Sequence, residues 1–402
     1  MEPTRKLYEN DSYKKEFSAR VLDCQQKGDA WELLLEATGF FPEGGGQGAD
    51  RGILCPVSAE ASESQESVRV LDVHIRQGLI YHTCSGPINP GTPVEGRLDW
   101  TLRYSNMQQH TGEHIVSGIA HKAFGVNNVG FHLGSQAVTL DFDKPLTEEQ
   151  IDWLEEAANR SVWENHPVQV SYPDARQLQN LDYRSKIEIE GQVRIVTIQD
   201  VDVCACCAPH VKQTGEIGLI KLTGVQSHRG GVRVNMLAGI RALEDYREKE
   251  TSVKAVSVLL SAKENQTAGA VERLKQEAYE LKGRLMCLNL ARIQEKAAAV
   301  PEGTENPVYF ETDLDMDTCR EFVNLLTERC RGTACVFAGN DTEGWRYVFG
   351  SHTEDTRPLC RYLNGEFQGK GGGKPEMVQG SLKGNQESIR KAADRFLNNP
   401  SL

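Results

Sequence analysis

Gln109-His110-Thr111-Gly112-Glu113-His114 sets two imidazoles four residues apart. A spacing of four returns to one face of a helix, so the stretch reads as part of a helix from about Asn106 to Phe124 with both rings projecting together. That reading divides the chain. Upstream, alternation at Trp31 to Glu36 and Val68 to Ile75 predicts strands, broken at Glu43 to Gly48 and at Ser58 to Ser67. A small barrel or sandwich is expected there, with Ser58 to Ser67 as an exposed loop. Asn89-Pro90-Gly91-Thr92-Pro93 is strong turn punctuation and marks a boundary.

Downstream of the helix, Ala137 to Phe142 alternates as a strand. Thr147 to Trp163 reads as a helix opened by a Thr147/Gln150 capping box. Val193 to Val203 and Ile217 to Leu222 are strand-like. From Ile240 to Ala299 the sequence is helical, and Val271, Leu274, Ala278, Leu281, Leu285 and Leu288 alternate spacings of three and four. That is the seam of a coiled coil or of a helical hairpin, and it predicts a spacer or a dimer contact. Pro301-Glu302-Gly303 ends it. The last hundred residues predict strands at Pro307 to Glu311, Ala334 to Ala338 and Trp345 to Phe349. They also predict helices at Asp315 to Cys330 and Gln386 to Phe396, with a Gly-rich loop, Gly369 to Pro375, between. The expected architecture is α+β: a β-barrel domain over 1–97, an α+β metal-binding domain over 98–240, a helical linker over 241–300 and a small α/β domain over 301–402.

Composition excludes some classes. No apolar run approaches the roughly 20 residues needed to span a bilayer. Met1 to Arg20 is charged and is no secretory signal. Eleven cysteines in a chain of 402 residues without a signal read as reduced thiols in a cytoplasmic protein. The formal charge of −12 argues against non-specific nucleic-acid binding, which needs phosphate neutralisation, but leaves room for a local basic patch.

Cys206 and His210 repeat the spacing of His110 and His114 further along the chain. Three imidazoles and a thiolate are a full ligand set for one tetrahedral zinc ion, and these donors favour zinc over magnesium or calcium. A lone His pair is usually a solvated helix face and a lone Cys a small core residue; two matched pairs together favour the metal. Cys204 and Cys207 compete for the thiolate position. The same residues carry a rival, because His110-Thr111-Gly112-Glu113-His114 matches the His-x-x-Glu-His pattern of inverted zinc metallopeptidases, with Glu113 as general base. Phe41-Pro42-Glu43-Gly44-Gly45-Gly46-Gln47 offers converging backbone N–H groups and an amide. Lys370 and Lys374 flank a second run of glycines suited to phosphate contact. His132, between the two ligand pairs, is a further polar pocket candidate.

In that order, Gly-Gly-Gly-Gln, His-x-x-x-His and Cys-x-x-x-His resemble the editing domain of alanyl-tRNA synthetase and the related free-standing AlaX-type editing proteins. Gly231-Val232-Arg233 with Gly239 is similar to that domain's closing segment. Gly371-Gly372-Gly373-Lys374-Pro375-Glu376-Met377-Val378-Gln379 is similar to the synthetase's C-terminal domain. The chain has no room for an aminoacylation domain and no Asp-His-His motif, so the resemblance implies a long free-standing editing factor. It implies hydrolysis of serine, or glycine, from alanine tRNA, with zinc on His110, His114, Cys206 and His210. Gln47, His132 and Glu113 are the catalytic candidates. Gly45, Gly46, Gln47 and Arg233 are expected at the substrate, and Lys370 and Lys374 on the tRNA body. A homodimer through the helical segment or C-terminal domain is expected, and no membrane partner. The family usually carries Gly-Gly-Thr where this chain has Cys207-Ala208-Pro209, a change that bears on side-chain recognition and spares the ligands. A non-catalytic tRNA-binding protein with a structural zinc is the remaining alternative.

Overall fold

The computed structural model describes residues 2–57, 66–134, 137–185 and 191–399. The chain divides into two compact units, Met1–Ser252 and Val253–Leu402.

After a short N-terminal segment, the first unit builds six main strands: β1 (Glu16–Lys27), β2 (Ala30–Leu35), β3 (Gly52–Pro56), β4 (Val68–Arg76), β5 (Leu79–Cys84) and β6 (Pro93–Leu98). They close into an antiparallel barrel in the order β1-β2-β5-β4-β3-β6. Alternate residues point inward, as period two demands: Phe17, Ala19 and Val21 are buried while Glu16, Ser18 and Arg20 are exposed. Closure leaves no unpaired edge, which settles the choice between barrel and sandwich. The loop expected over Ser58 to Ser67 lies mostly outside the described residues.

Helix α1 (Trp100–Phe124) follows directly. It starts at Trp100 rather than near Asn106, because the Asp99 carboxylate accepts from Leu102 N at 3.1 Å and caps an orphan donor; such a cap is worth about 1 kcal/mol. Gly125, at φ 63°, ends it. The helix is buried from Ser105 to Gly118 without a gap, so the two-faced pattern of a surface helix is missing. A fully buried Arg103 joins it to the barrel: its guanidinium pairs with buried Asp50 and donates to the carbonyls of Ser12 (2.9 Å) and Gly39 (2.6 Å). Gln109 reads the backbone of Ala238, accepting from its N–H at 2.8 Å.

The strands β7 (Asn128–Leu133) and β8 (Val138–Phe142) come next, then α2 (Glu148–Glu164) with the Thr147/Gln150 capping box in place. The strand expected over Val193 to Val203 is instead a hairpin. β9 (Val168–Ser171) pairs with β10 (Ile195–Ile198), which turns at Asp200 (φ 58°) into β11 (Asp202–Ala205). A single 3-10 turn over Thr214–Ile217 delays the next strand, so β12 starts at Ile220 (Ile220–His228) and pairs with β13 (Gly231–Ala238). The four-stranded sheet runs β12-β13-β8-β7. It packs against α1 closely enough that a Cβ on Gly112 would meet Ala238 Cβ at 3.2 Å.

The helical stretch from Ile240 to Ala299 is two helices. α3 (Gly239–Leu260) ends at Ser261, φ 49°, and α4 (Thr267–Ala298) begins after a short turn. Within the second unit, α4 is buried chiefly at its C-terminal end, through Ile293 and Ala297, and at Ala270 near its start; the predicted seam is exposed, from 41 % at Val271 to 69 % at Leu288. The main remaining elements are β14 (Val308–Glu311), α5 (Met316–Thr327), β15 (Ala334–Asn340), β16 (Gly344–Gly350), α6 (Arg357–Glu366), β17 (Lys370–Lys374), β18 (Met377–Leu382) and α7 (Gln386–Asn398). Their sheet order is β14-β15-β16-β18-β17. The glycine run at Gly371 is therefore not a loop but the middle of an exposed edge strand, and α6 is a helix that periodicity did not disclose. All eleven cysteines are free, and among the described residues no helix is long and apolar enough to cross a membrane.

Candidate metal centre

Four side chains converge on one point in the first unit. One ligand atom each from His110, His114, Cys206 and His210 lies within 4.8 Å of the others, so the group can hold a metal ion. His110 and His114 come from adjacent turns of α1. Cys206 and His210 come from the loop after β11, and Cys206 Sγ lies 3.5 Å from His110 Nε2 and 3.3 Å from His210 Nε2. Of the three neighbouring thiols, Cys206 joins this group; Cys207 is exposed, and Cys204 stands with Asp202 on the far side of His114.

All three rings are oriented through Nδ1. Gln47 Oε1 lies 2.8 Å from His110 Nδ1, and Asp202 Oδ2 lies 2.9 Å from His114 Nδ1. Both oxygens only accept, so each ring donates from Nδ1 and keeps its Nε2 lone pair for a ligand. Thr111 Oγ1 stands 3.0 Å from His210 Nδ1. Behind Asp202, Arg184 donates from Nε (2.7 Å) and Nη2 (2.9 Å) in a bidentate pair. Arg194 Nη1 donates to the carbonyls of Cys206 (2.7 Å) and Ala208 (3.0 Å), fixing the ligand loop from within. Asp202, Thr111, Arg184 and Arg194 had no sequence signal, because each acts across a long chain separation.

The electrostatics follow from this packing. Burial pushes the Cys206 thiol up, but the His110 and His210 imidazoles outweigh it and hold the group well below the ordinary thiol range. Burial pushes His210 down to about 3, against the opposing pull of the neighbouring Cys206. Burial also opposes a charged His114, yet the Cys204 thiol and the Asp202 hydrogen bond leave it well above its ordinary value. Metal ligation requires thiolate and neutral imidazole, so binding would release a proton from this cluster.

The glycine-rich turn borders the same point. Gly45 (φ 60°) and Gly46 (φ 81°) are left-handed, and a Cβ on Gly46 would fall 2.4 Å from Phe131 O. The turn thereby docks on β7, Leu133 N donating to Gly46 O at 2.8 Å, and brings buried Gln47 against His110. Gln47 Nε2 is buried without a partner among the described residues. His132 is exposed on β7, and its neighbour Phe131 is the residue against His110, with ring centroids 4.8 Å apart. Glu113 is buried. Its Oε1 accepts from Ser117 Oγ (2.8 Å) and Asn128 Nδ2 (2.7 Å), and its Oε2 stands 3.9 Å from His114 Nε2. Arg233 is held by Asp141 in the adjacent strand, at 2.6 and 2.7 Å. Lys370 and Lys374 end the exposed edge strand β17 of the second unit. No downstream glutamate joins His110 and His114 among the described residues, which is what an inverted metallopeptidase ligand set would need.

Residues 193–235, which include Arg194, Asp202, Cys206 and His210, match the family described as "Threonyl and Alanyl tRNA synthetase second additional domain"; residues 305–399 match the DHHA1 domain. The alanine–tRNA ligase of Pyrobaculum neutrophilum is 30% identical over 98% of this chain and 44% of its own length. The chain thus spans less than half of the ligases it matches. Two relatives are covered almost completely. The alanyl-tRNA editing protein Aarsd1 of Rattus norvegicus is 27% identical over 93% of each chain, and the alanyl-tRNA editing protein AlaX-L of Pyrococcus horikoshii is 26% identical over 96% of each. The chain is similar, over nearly its whole length, to alanyl-tRNA editing proteins.

Proposed function

We propose that this relative of the alanyl-tRNA editing proteins is itself a trans-editing aminoacyl-tRNA hydrolase, clearing serine, and also glycine, from alanine tRNA at a zinc-containing site. The observation that carries this is the buried convergence of His110, His114, Cys206 and His210 from two distant segments beside the Gly45–Gly46–Gln47 turn. The donor set fits zinc: three imidazoles with Nδ1 occupied and a thiol held below its ordinary range are a borderline-soft tetrahedral set. Bound there, zinc would supply a fixed positive charge that anchors the 3′ end of the tRNA or acidifies a water.

The chain's own residues supply the rest. Gln47 holds His110 through Oε1 and presents an unpaired Nε2, a donor suited to a serine hydroxyl or ester oxygen. A hydroxyl-reading site of this kind rejects alanine, because the donor would stay buried and unpaired at a cost of roughly 1–3 kcal/mol. The task suits a second site, since an alanine-sized pocket cannot strongly reject a side chain that merely adds a hydroxyl. Glu113 and His132 are assigned to water orientation and substrate contact. Lys370 and Lys374 on β17 are assigned to the tRNA body, and Arg233, held by Asp141, to contact through its exposed edge. We read the four sequence-derived segments, 1–97, 98–240, 241–300 and 301–402, as functional modules of a cytoplasmic protein. The apolar seam of α4 is assigned to a coiled-coil contact with a second copy.

Alanine tRNA charged with serine, glycine or alanine, incubated with the zinc-loaded protein, tests the reading. Release of serine or glycine with alanine spared is expected. Release from none of the three would refute it, and cleavage of peptides lost in Glu113→Gln but kept in Cys206→Ala would favour the metallopeptidase.

A further inference from the structure

We propose that the outer wall of the barrel carries a phosphate-binding cradle, formed by Arg51, Arg69 and Arg97, that takes the RNA backbone of the tRNA; it rests on the editing reading above.

The register builds the cradle. In β3, Ile53 lies opposite Arg69 of β4 on one side and Arg97 of β6 on the other. Opposed residues of antiparallel strands share a face. Their neighbours Leu54, Val70 and Leu98 fill the barrel core, so the row Arg69–Ile53–Arg97 points outward. Arg51 precedes Ile53 by two residues and joins that face. Together they rim an open groove of about 490 Å³ whose floor includes Gly52 and whose far end reaches Asp99.

Charge distinguishes the row. Three other arginines of the first unit are matched to carboxylates: Arg103 to Asp50, Arg184 to Asp202, Arg233 to Asp141. Arg51 and Arg69, both exposed, have no acidic partner among the described residues. Arg97 has only Glu16 and Glu95, each at 3.5 Å. Asp99 is directed to the helix cap instead. A chain with a formal charge of −12 thus clusters three exposed guanidinium groups, two of them without an acidic partner among the described residues. The planar guanidinium fork matches phosphate bidentately.

Spacing and location select the form of the phosphate. Arg69 and Arg97 are two strands apart, roughly 10 Å between backbones. Donors spread over that distance suit separate phosphates along a polynucleotide, whereas one free phosphate needs donors converging on a point. The groove ends where α1 begins, and α1 carries His110 about 15 Å along its axis at 1.5 Å per residue. The helix therefore sets a rigid interval between backbone contact and the metal centre, over which a tRNA acceptor end can lie.

The test measures affinity for uncharged alanine tRNA against salt, using the full-length zinc-loaded protein, an Arg51→Ala/Arg69→Ala/Arg97→Ala variant and the corresponding triple Lys variant. Each lost phosphate contact should flatten the slope of log K against log salt by about 0.9, so the triple Ala variant should lose roughly 2 to 3. The Lys variant should keep most of the slope. KM for deacylation should rise in the Ala variant with kcat held, and zinc content and Tm should match wild type, since all three side chains are exposed. Equal slopes in a wild type and triple Ala variant that both bind and deacylate tRNA would overturn the cradle alone. Equal slopes with inorganic phosphate bound only by wild type would make it a small-anion site and also overturn the RNA assignment. A wild type that neither binds nor deacylates tRNA would overturn the editing reading and the cradle with it.

Discussion

Asp202 serves two partners at once: it accepts from His114 Nδ1 and receives both arms of Arg184. The first interaction selects the tautomer that turns Nε2 toward Cys206 and His210; the second prevents the carboxylate from turning away. Asp202→Asn should keep the fold and lower zinc affinity by about 10- to 100-fold, the usual cost of removing such a partner, as read by chelator competition. Unchanged affinity would show that His114 needs no outer support. His82 provides a different residue-scale prediction. It is fully buried in the barrel, bonded to Thr38 Oγ1 (2.8 Å) and Leu33 O (3.2 Å), and burial pushes it down to about 4 from 6.5. The folded state thus resists a proton that the unfolded chain takes up below pH 6.5. Stability is whole above that pH, declines as pH falls and reaches its full loss near pH 4, amounting to about 3 kcal/mol. Tm followed from pH 7.5 to 4 should show a steeper acid fall in wild type than in His82→Gln, and parallel curves would remove His82 as the cause.

Elements show what a single chain discloses. The His110/His114 pair is legible because four residues make one helical turn, and the Thr147/Gln150 box because capping chemistry is local. The start of α1 lies upstream of the expected one because Asp99, not an apolar periodicity, sets it, and burial all round the helix removes the usual pattern. The strand over Val193 to Val203 split because Asp200 takes a left-handed conformation that no glycine announced. β17 read as a loop because glycine runs lack strand propensity; pairing with β18 overrides that locally. The partners that orient the ligands were invisible for another reason. Arg184, Arg194 and Asp202 meet the centre through tertiary contacts, and a lone Arg or Asp in sequence carries no address. For α4 the seam itself was legible but its covering was not. If a second copy covers it, Leu274→Glu with Leu281→Glu should shift the protein from dimer to monomer in sedimentation velocity, leaving helicity intact. A monomeric wild type at tens of micromolar would rule out the coiled-coil contact.

At the scale of the whole molecule, the acidic total and the proposed substrate are reconciled by placement. Net charge limits non-specific attraction to RNA, while lysines on β17 and the arginine row on the barrel concentrate positive charge locally. The α+β composition, the barrel and the glycine-rich turn serve one arrangement. The barrel, joined to α1 by buried Arg103 and Asp50, fixes the turn that carries Gln47 against His110. Removing either partner of that buried pair should cost about 3–5 kcal/mol, so an Arg103→Met chain should lose Tm before it loses any single ligand.

In the proposed reaction the ester is cleared at the four-ligand cluster. The most direct measurement follows zinc content and the rate of serine release from mischarged alanine tRNA in the same preparations of wild type and Cys206→Ala. One zinc per chain with rapid release in wild type, and both lost together in the variant, is the predicted result. A Cys206→Ala protein that is folded and free of zinc, yet releases serine at the wild-type rate, would place hydrolysis outside this cluster.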